Sequence, residues 1–170
     1  MPAVRLAVCD IAEVLVQYNR SKDLKEEFSS RQQVIRAEDE KRTKTAQDLA
    51  RELEQLNPAS EQFQKRFADL EKQQLELKNW RDWQDSSLRR WHLRMMRELY
   101  QEVVAAVAET AKERGVQVVF YQERLDLAAD DIGQMLNQIA RRQVIYSAPD
   151  TDMTPLVLKK LQDAYKAKNP

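Results

Sequence analysis

No glycine or proline occurs between Ile11 and Leu56, and none between Glu61 and Arg114. These two residue types are the strongest breakers of regular structure. Their absence over runs of 46 and 54 residues predicts two helices far longer than the three or four turns usual in globular domains. At about 1.5 Å per residue the runs would span roughly 70 and 80 Å, too long to bury in a chain of 170 residues. Between them stands Asn57-Pro58-Ala59-Ser60. The proline stops one helix and the serine is suited to cap the next. So short a break favours an antiparallel hairpin, its tip near 57–60 and its arms covering 11–114.

Composition narrows the choice further. With only 2 glycines in the whole chain, glycine-rich phosphate loops, dinucleotide fingerprints and turn-rich all-β folds are excluded. Charged residues make up 33% against a typical ~25%, as in long helices that bury a single stripe. The 28 basic and 28 acidic residues cancel, whereas nucleic-acid binders carry a basic excess, so no nucleic-acid partner is expected. A lone cysteine, Cys9, forbids an internal disulfide and a multi-cysteine zinc site. A lone histidine, His92, disfavours His-rich metal sites and a Ser-His-Asp triad. No cofactor, metal site or catalytic constellation is expected, so the chain reads as a non-enzyme. No apolar run reaches the ~18 residues of a membrane span, and the first residues lack the pattern of a secretory signal. That start reads either as cytosolic or as the trimmed mature form of an exported protein.

A 4-3 spacing tests whether the helices pair. In the first run it falls on Val14, Tyr18, Ser21, Lys25, Phe28, Gln32, Ile35, Asp39, Arg42, Ala46, Leu49, Leu53 and Leu56, apolar at both ends and charged in the middle. In the second, Phe63, Phe67, Leu70, Leu77, Leu88 and Trp91 share a register broken by Gln74, Arg81 and Gln84, which then drifts to Leu99, Val103 and Ala106. This is a coiled coil with a weak centre. At ~100° per residue, Trp80 and Trp83 fall on one flank of the seam and Trp91 nearer its middle.

The ends of the sequence read differently. Val4–Cys9 alternates in bulk like a strand, with Asp10 placed to cap a helix and Glu13 three residues on. Gly115 closes the second long run as a C-cap. Val116–Tyr121 is β-branched and aromatic, a second strand, and Val144–Tyr146 a third candidate. A short helix near 130–141 capped by Asp130, and a final helix with Thr154 as cap and Pro155 in its first turn, complete the chain. Residues 1–10 plus 115–170 form a β body and 11–114 the arm: an α+β fold, mostly α.

The opening Val4–Asp10 with Val14-Leu15, the run Gly115–Phe120, and Val144-Ile145-Tyr146 leading to Asp152-Met153-Thr154 and Val157–Leu161 resemble the corresponding segments of the Skp/OmpH family of periplasmic chaperones. The order strand, long helical hairpin, strand, short helix is also similar. Two departures stand out: an inserted segment at 122–142, and arms balanced at 20 basic and 20 acidic residues where well-known members are basic. The resemblance implies a homotrimer whose strands form a central barrel, with arms that hold unfolded outer-membrane proteins without ATP in the periplasm, the signal peptide having been removed. Val4, Leu6, Val8, Val116, Val118, Phe120, Val144 and Tyr146 would then serve oligomerisation. Trp80, Trp83, Trp91, Leu77, Phe63 and Phe67 would line the cavity that takes the client, or else pack against neighbouring arms. The arginine-rich stretch 81–97 reads as a solvated face, or as an attraction for acidic client segments or lipid headgroups. Contact with a membrane surface gains no support from the zero net charge. The rival readings are a structural or adaptor coiled coil of the cell envelope and a cytosolic prefoldin-like chaperone.

Overall fold

The structure, a computed structural model, describes residues 4–123 and 131–169. Its elements are β1 (Leu6–Cys9), α1 (Ile11–Gln17), α2 (Asn19–Glu54), α3 (Glu61–Arg114), β2 (Val118–Tyr121), α4 (Ile132–Arg141), a 3-10 turn (Pro149–Thr151) and α5 (Thr154–Lys168). The described chain divides into two compact units, one comprising 1–24 with 96–170 and the other Lys25–Met95.

In the first unit β1 and β2 pair in parallel, with Leu6 opposite Val118 and Cys9 opposite Tyr121. Parallel strands need a crossover connection, and here α1, α2 and α3 together supply it. On its other side β1 meets the chain at Asp152, where the Met153 N–H donates to the Val8 carbonyl at 2.9 Å. Both edges of β1 are thus taken. Val144–Tyr146 forms no strand, and Ile145 and Tyr146 are each 82% exposed.

Helix ends follow the side chains that cap them. The Asp10 carboxylate accepts from the Glu13 N–H at 2.8 Å, while the Asp10 N–H donates to Thr154 Oγ1 at 2.9 Å. Thr154 therefore ties the two ends of the sequence together as the first residue of α5, and Met153 takes the cap position. The expected cap of α4, Asp130, lies outside the described residues; Asp131 performs that task by accepting from the Gly133 N–H at 2.9 Å. At the other turn the Phe63 N–H donates to Ser60 Oγ at 3.1 Å.

α3 ends in a Schellman motif: the Val116 N–H reaches the Ala111 carbonyl and the Gly115 N–H that of Lys112, with Gly115 at φ +65°. A Cβ there would meet nothing nearer than 3.9 Å, so the conformation alone selects glycine. Gly115→Ala is expected to cost about 1–2 kcal/mol of stability, read from the midpoint of urea unfolding.

The first long run is not one helix. It breaks at Tyr18, whose backbone is extended at φ −66°, ψ 126°, without any glycine or proline. Tertiary contacts outweigh helix propensity here. The Tyr18 ring is buried, its hydroxyl donates to Glu102 at 3.2 Å, and its edge meets the Tyr165 ring at 5.8 Å. Burial, and then the Glu102 carboxylate, push the phenol up to about 12. Gln162 of α5 bridges the opened backbone, donating to the Gln17 carbonyl at 3.0 Å and accepting from the Asn19 N–H at 3.4 Å.

The core of this unit gathers Ala7, Cys9, Val14, Tyr18, Leu99, Val103, Ala106, Ala111, Met153, Val157 and Leu161. Burial raises the Cys9 thiol to about 11, so its sulfur packs as a small apolar group.

Candidate functional site

Within Lys25–Met95, α2 and α3 lie antiparallel, and a pair of helices can bury little. Leu53 and Leu77 are the buried side chains there among the described residues. Phe28, Ile35, Ala46, Leu49, Leu56, Phe63, Leu70, Trp80, Leu88 and Trp91 are half-buried along the contact.

The polar residues that interrupt the 4-3 pattern prove to be partners. Arg81 forks onto the Asp39 carboxylate at 2.5 and 3.0 Å and donates to Thr43 Oγ1 at 2.7 Å. Hydrogen bonding from Arg81 holds the Asp39 carboxyl below its usual range. That fork therefore persists at neutral pH and weakens as acid protonates Asp39, at a pH below that of an ordinary aspartate. Read from sequence these positions were defects. The missed signal is opposite charge at equal distances, 21 residues each way, from Ser60.

Trp80 takes the place in the contact that the 4-3 count gave to Arg81. Beside it a groove of about 660 Å³ runs along the helix pair, with Val34, Ile35 and Leu88 among its lining. At one end the Arg42 guanidinium covers Trp80 at 4.7 Å; at the other Arg31 covers Trp91 at 4.6 Å. Each pair is 11 residues apart along its own helix, three turns and one face. Glu38 and Glu27 neutralise the two arginines, so the groove carries aromatic surface but no net charge. Phe28 stacks beside Trp91 at 6.3 Å and on His92 at 4.5 Å.

The remaining expected residues separate by exposure. Trp83, 61% exposed, and Phe67 stand in solvent, and Phe63 stacks on Phe67 at 6.1 Å. Leu77 is buried and serves the helix pair instead. In the other unit Val4, Leu6, Val118, Phe120 and Tyr146 are exposed and Val8 is buried, with Val116 and Val144 between. The outward apolar side chains of β2, together with Ile145 and Tyr146, present a surface that nothing in the described chain covers. α4 adds Ile132, Leu136 and Ile139 at i, i+4 and i+7, all exposed.

Among the described residues no cluster of three His, Cys, Asp or Glu is placed to hold a metal, and no helix is long and apolar enough to cross a membrane. The features on display are a long helix pair with aromatic surface and a small parallel sheet with an open apolar edge, the marks of a protein that acts by contact. The chain belongs to the OmpH-like outer membrane protein family, whose model matches residues 5–161. Its fold is similar to the crystal structure of a protein from Caulobacter crescentus CB15 described as an outer membrane chaperone (OmpH-like). That likeness covers 96% of this chain and 88% of that one at a TM-score of 0.74, with 13% identity. At such identity it is a likeness of fold. No curated protein matches the sequence.

Proposed function

We propose that this protein is an ATP-independent holdase of the periplasm, a homotrimer that keeps unfolded outer-membrane proteins from aggregating by enclosing them between its helical arms. The observation that carries the reading is the OmpH-like family match over residues 5–161, which supports an outer-membrane chaperone role. The geometry supports the finer parts. Trp83, Phe67 and Phe63, with the partly open faces of Trp80 and Trp91, offer non-directional apolar contact to a chain without fixed structure. Many weak contacts of this kind bind by avidity, with no single dominant residue. Assembly would use the uncovered apolar surface of Leu6, Val118, Phe120, Val144, Tyr146 and neighbouring Val4 and Val116, because an exposed strand edge calls for a partner. Val8, already buried, would support that surface from behind.

The test pairs two measurements. An unfolded outer-membrane β-barrel protein diluted from urea is expected to scatter far less light in the presence of this protein, with no nucleotide added. The protein alone is expected to show a solution mass three times its 20.0 kDa. A stoichiometric complex with a folded partner and no protection of the unfolded barrel would instead mark an adaptor coiled coil.

A further inference from the structure

Most arginines of the unit Lys25–Met95 are compensated. Of its nine arginines, seven hold a carboxylate, from Arg31 with Glu27 to Arg89 with Asp85. Among the described residues Arg90 and Arg94 hold none, and both are exposed. They stand at i and i+4 on α3, where like charges repel, so their placement goes against local stability. Such a violation is what a binding function would leave behind. The exposed Trp83 stands seven residues before Arg90 and eleven before Arg94, so all three share one face of the helix. Asp82 and Asp85 turn away from that face, Asp85 being held by Arg89 at 2.7 Å. Glu76, two turns before Trp83, is engaged by Lys72 at 3.9 Å.

We propose that Trp83, Arg90 and Arg94 form a docking stripe for acidic, aromatic-bearing segments of unfolded polypeptide. The claim rests on the chaperone reading and names the client chemistry that this face prefers. At about 1.5 Å of rise per residue the two guanidinium groups lie roughly 10 and 16 Å along the axis from the indole. An extended chain advances about 3.3 Å per residue. Side chains of an extended chain share a face only at even spacings, so the matching segment carries an aromatic side chain with carboxylates about four and six positions away, the long arginine side chains taking up the few ångströms of difference. The ring stacks on or beside Trp83, and the carboxylates meet uncompensated guanidinium groups that bind them bidentately.

Two fluorescent disordered peptides test this against the full-length protein: one has a tyrosine followed by aspartates four and six residues on, the other lysines in place of those aspartates. The acidic peptide is expected to bind about tenfold more tightly at low salt, and the preference to shrink as salt screens the charges. R90E/R94E is expected to invert the order and R90K/R94K largely to keep it. W83S is expected to weaken both peptides. None of these changes removes an ion pair, and equal helicity and solution mass confirm that each variant folds. Equal binding of the two peptides, or an unchanged preference in R90E/R94E, would overturn the proposal. So would binding to phosphatidylglycerol vesicles with no binding to either peptide. The outcome stays separable from the holdase reading: protection of the barrel client without peptide preference removes the stripe alone, and peptide preference without protection removes the holdase alone.

Discussion

A chain lacking residues 40–75, with Asp39 joined to Glu76 by a short glycine–serine turn, is expected to assemble as before yet to let an unfolded β-barrel protein aggregate as fast as it does in buffer. Every member of the core cluster lies in 7–18, 99–111 or 153–161, so the deletion leaves that unit and its exposed strand edge intact. It removes 15 residues from each of α2 and α3, about 22 Å of helix from each, along with Phe63, Phe67 and Leu75. Trp83, Arg90 and Arg94 remain, so a short acidic peptide still binds while a whole client is no longer enclosed. Light scattering of the client and the solution mass of the variant report the two halves separately. Full protection by the shortened protein would remove residues 40–75 from the mechanism and with them the enclosure of the client by full-length arms.

The largest single-residue effect is expected inside that core. Leu99 is 2% exposed and among its largest fully buried side chains. Leu99→Ala is expected to cost about 2–5 kcal/mol, the lost transfer energy plus the cavity left behind. Leu75→Ala, on the same helix but facing water, is expected to change stability by less than about 0.5 kcal/mol. Urea unfolding at one fixed protein concentration makes the comparison, because assembly couples stability to concentration. Equal losses at the two positions would mean that the buried cluster does not hold the fold together.

Why some of this is legible in the residues and some is not can be traced. The bounds of α3, its serine cap and its terminal glycine are local matters: one side chain meets one backbone group a few residues away. β1 and β2 announce themselves by β-branched and aromatic content. The break at Tyr18 does not, because its cause lies in Glu102, Gln162 and Tyr165, residues 84 to 147 positions distant. Val144–Tyr146 misleads for the opposite reason: its composition suits a strand, but β-propensity is a weak local preference and no strand of the described chain pairs with it. At the candidate surface the aromatic residues are visible as a list, while their burial depends on a helix register that counting apolar residues misplaced by one at Trp80 and Arg81. The arginines show the same limit. A run of five in 81–97 gives no hint that Arg81 and Arg89 are neutralised and that Arg90 and Arg94 are not.

The pairing of Leu6 with Val118 and of Asp10 with Thr154 also governs when the molecule can come into being. Helices grow from local contacts within microseconds, so α2 and α3 can form as soon as their own residues are available. The sheet and core cannot. They join residues 6–10 to partners more than a hundred positions later, and close only once α5 is free. Separations of that size slow folding, which leaves a newly made chain open until α5 has been made.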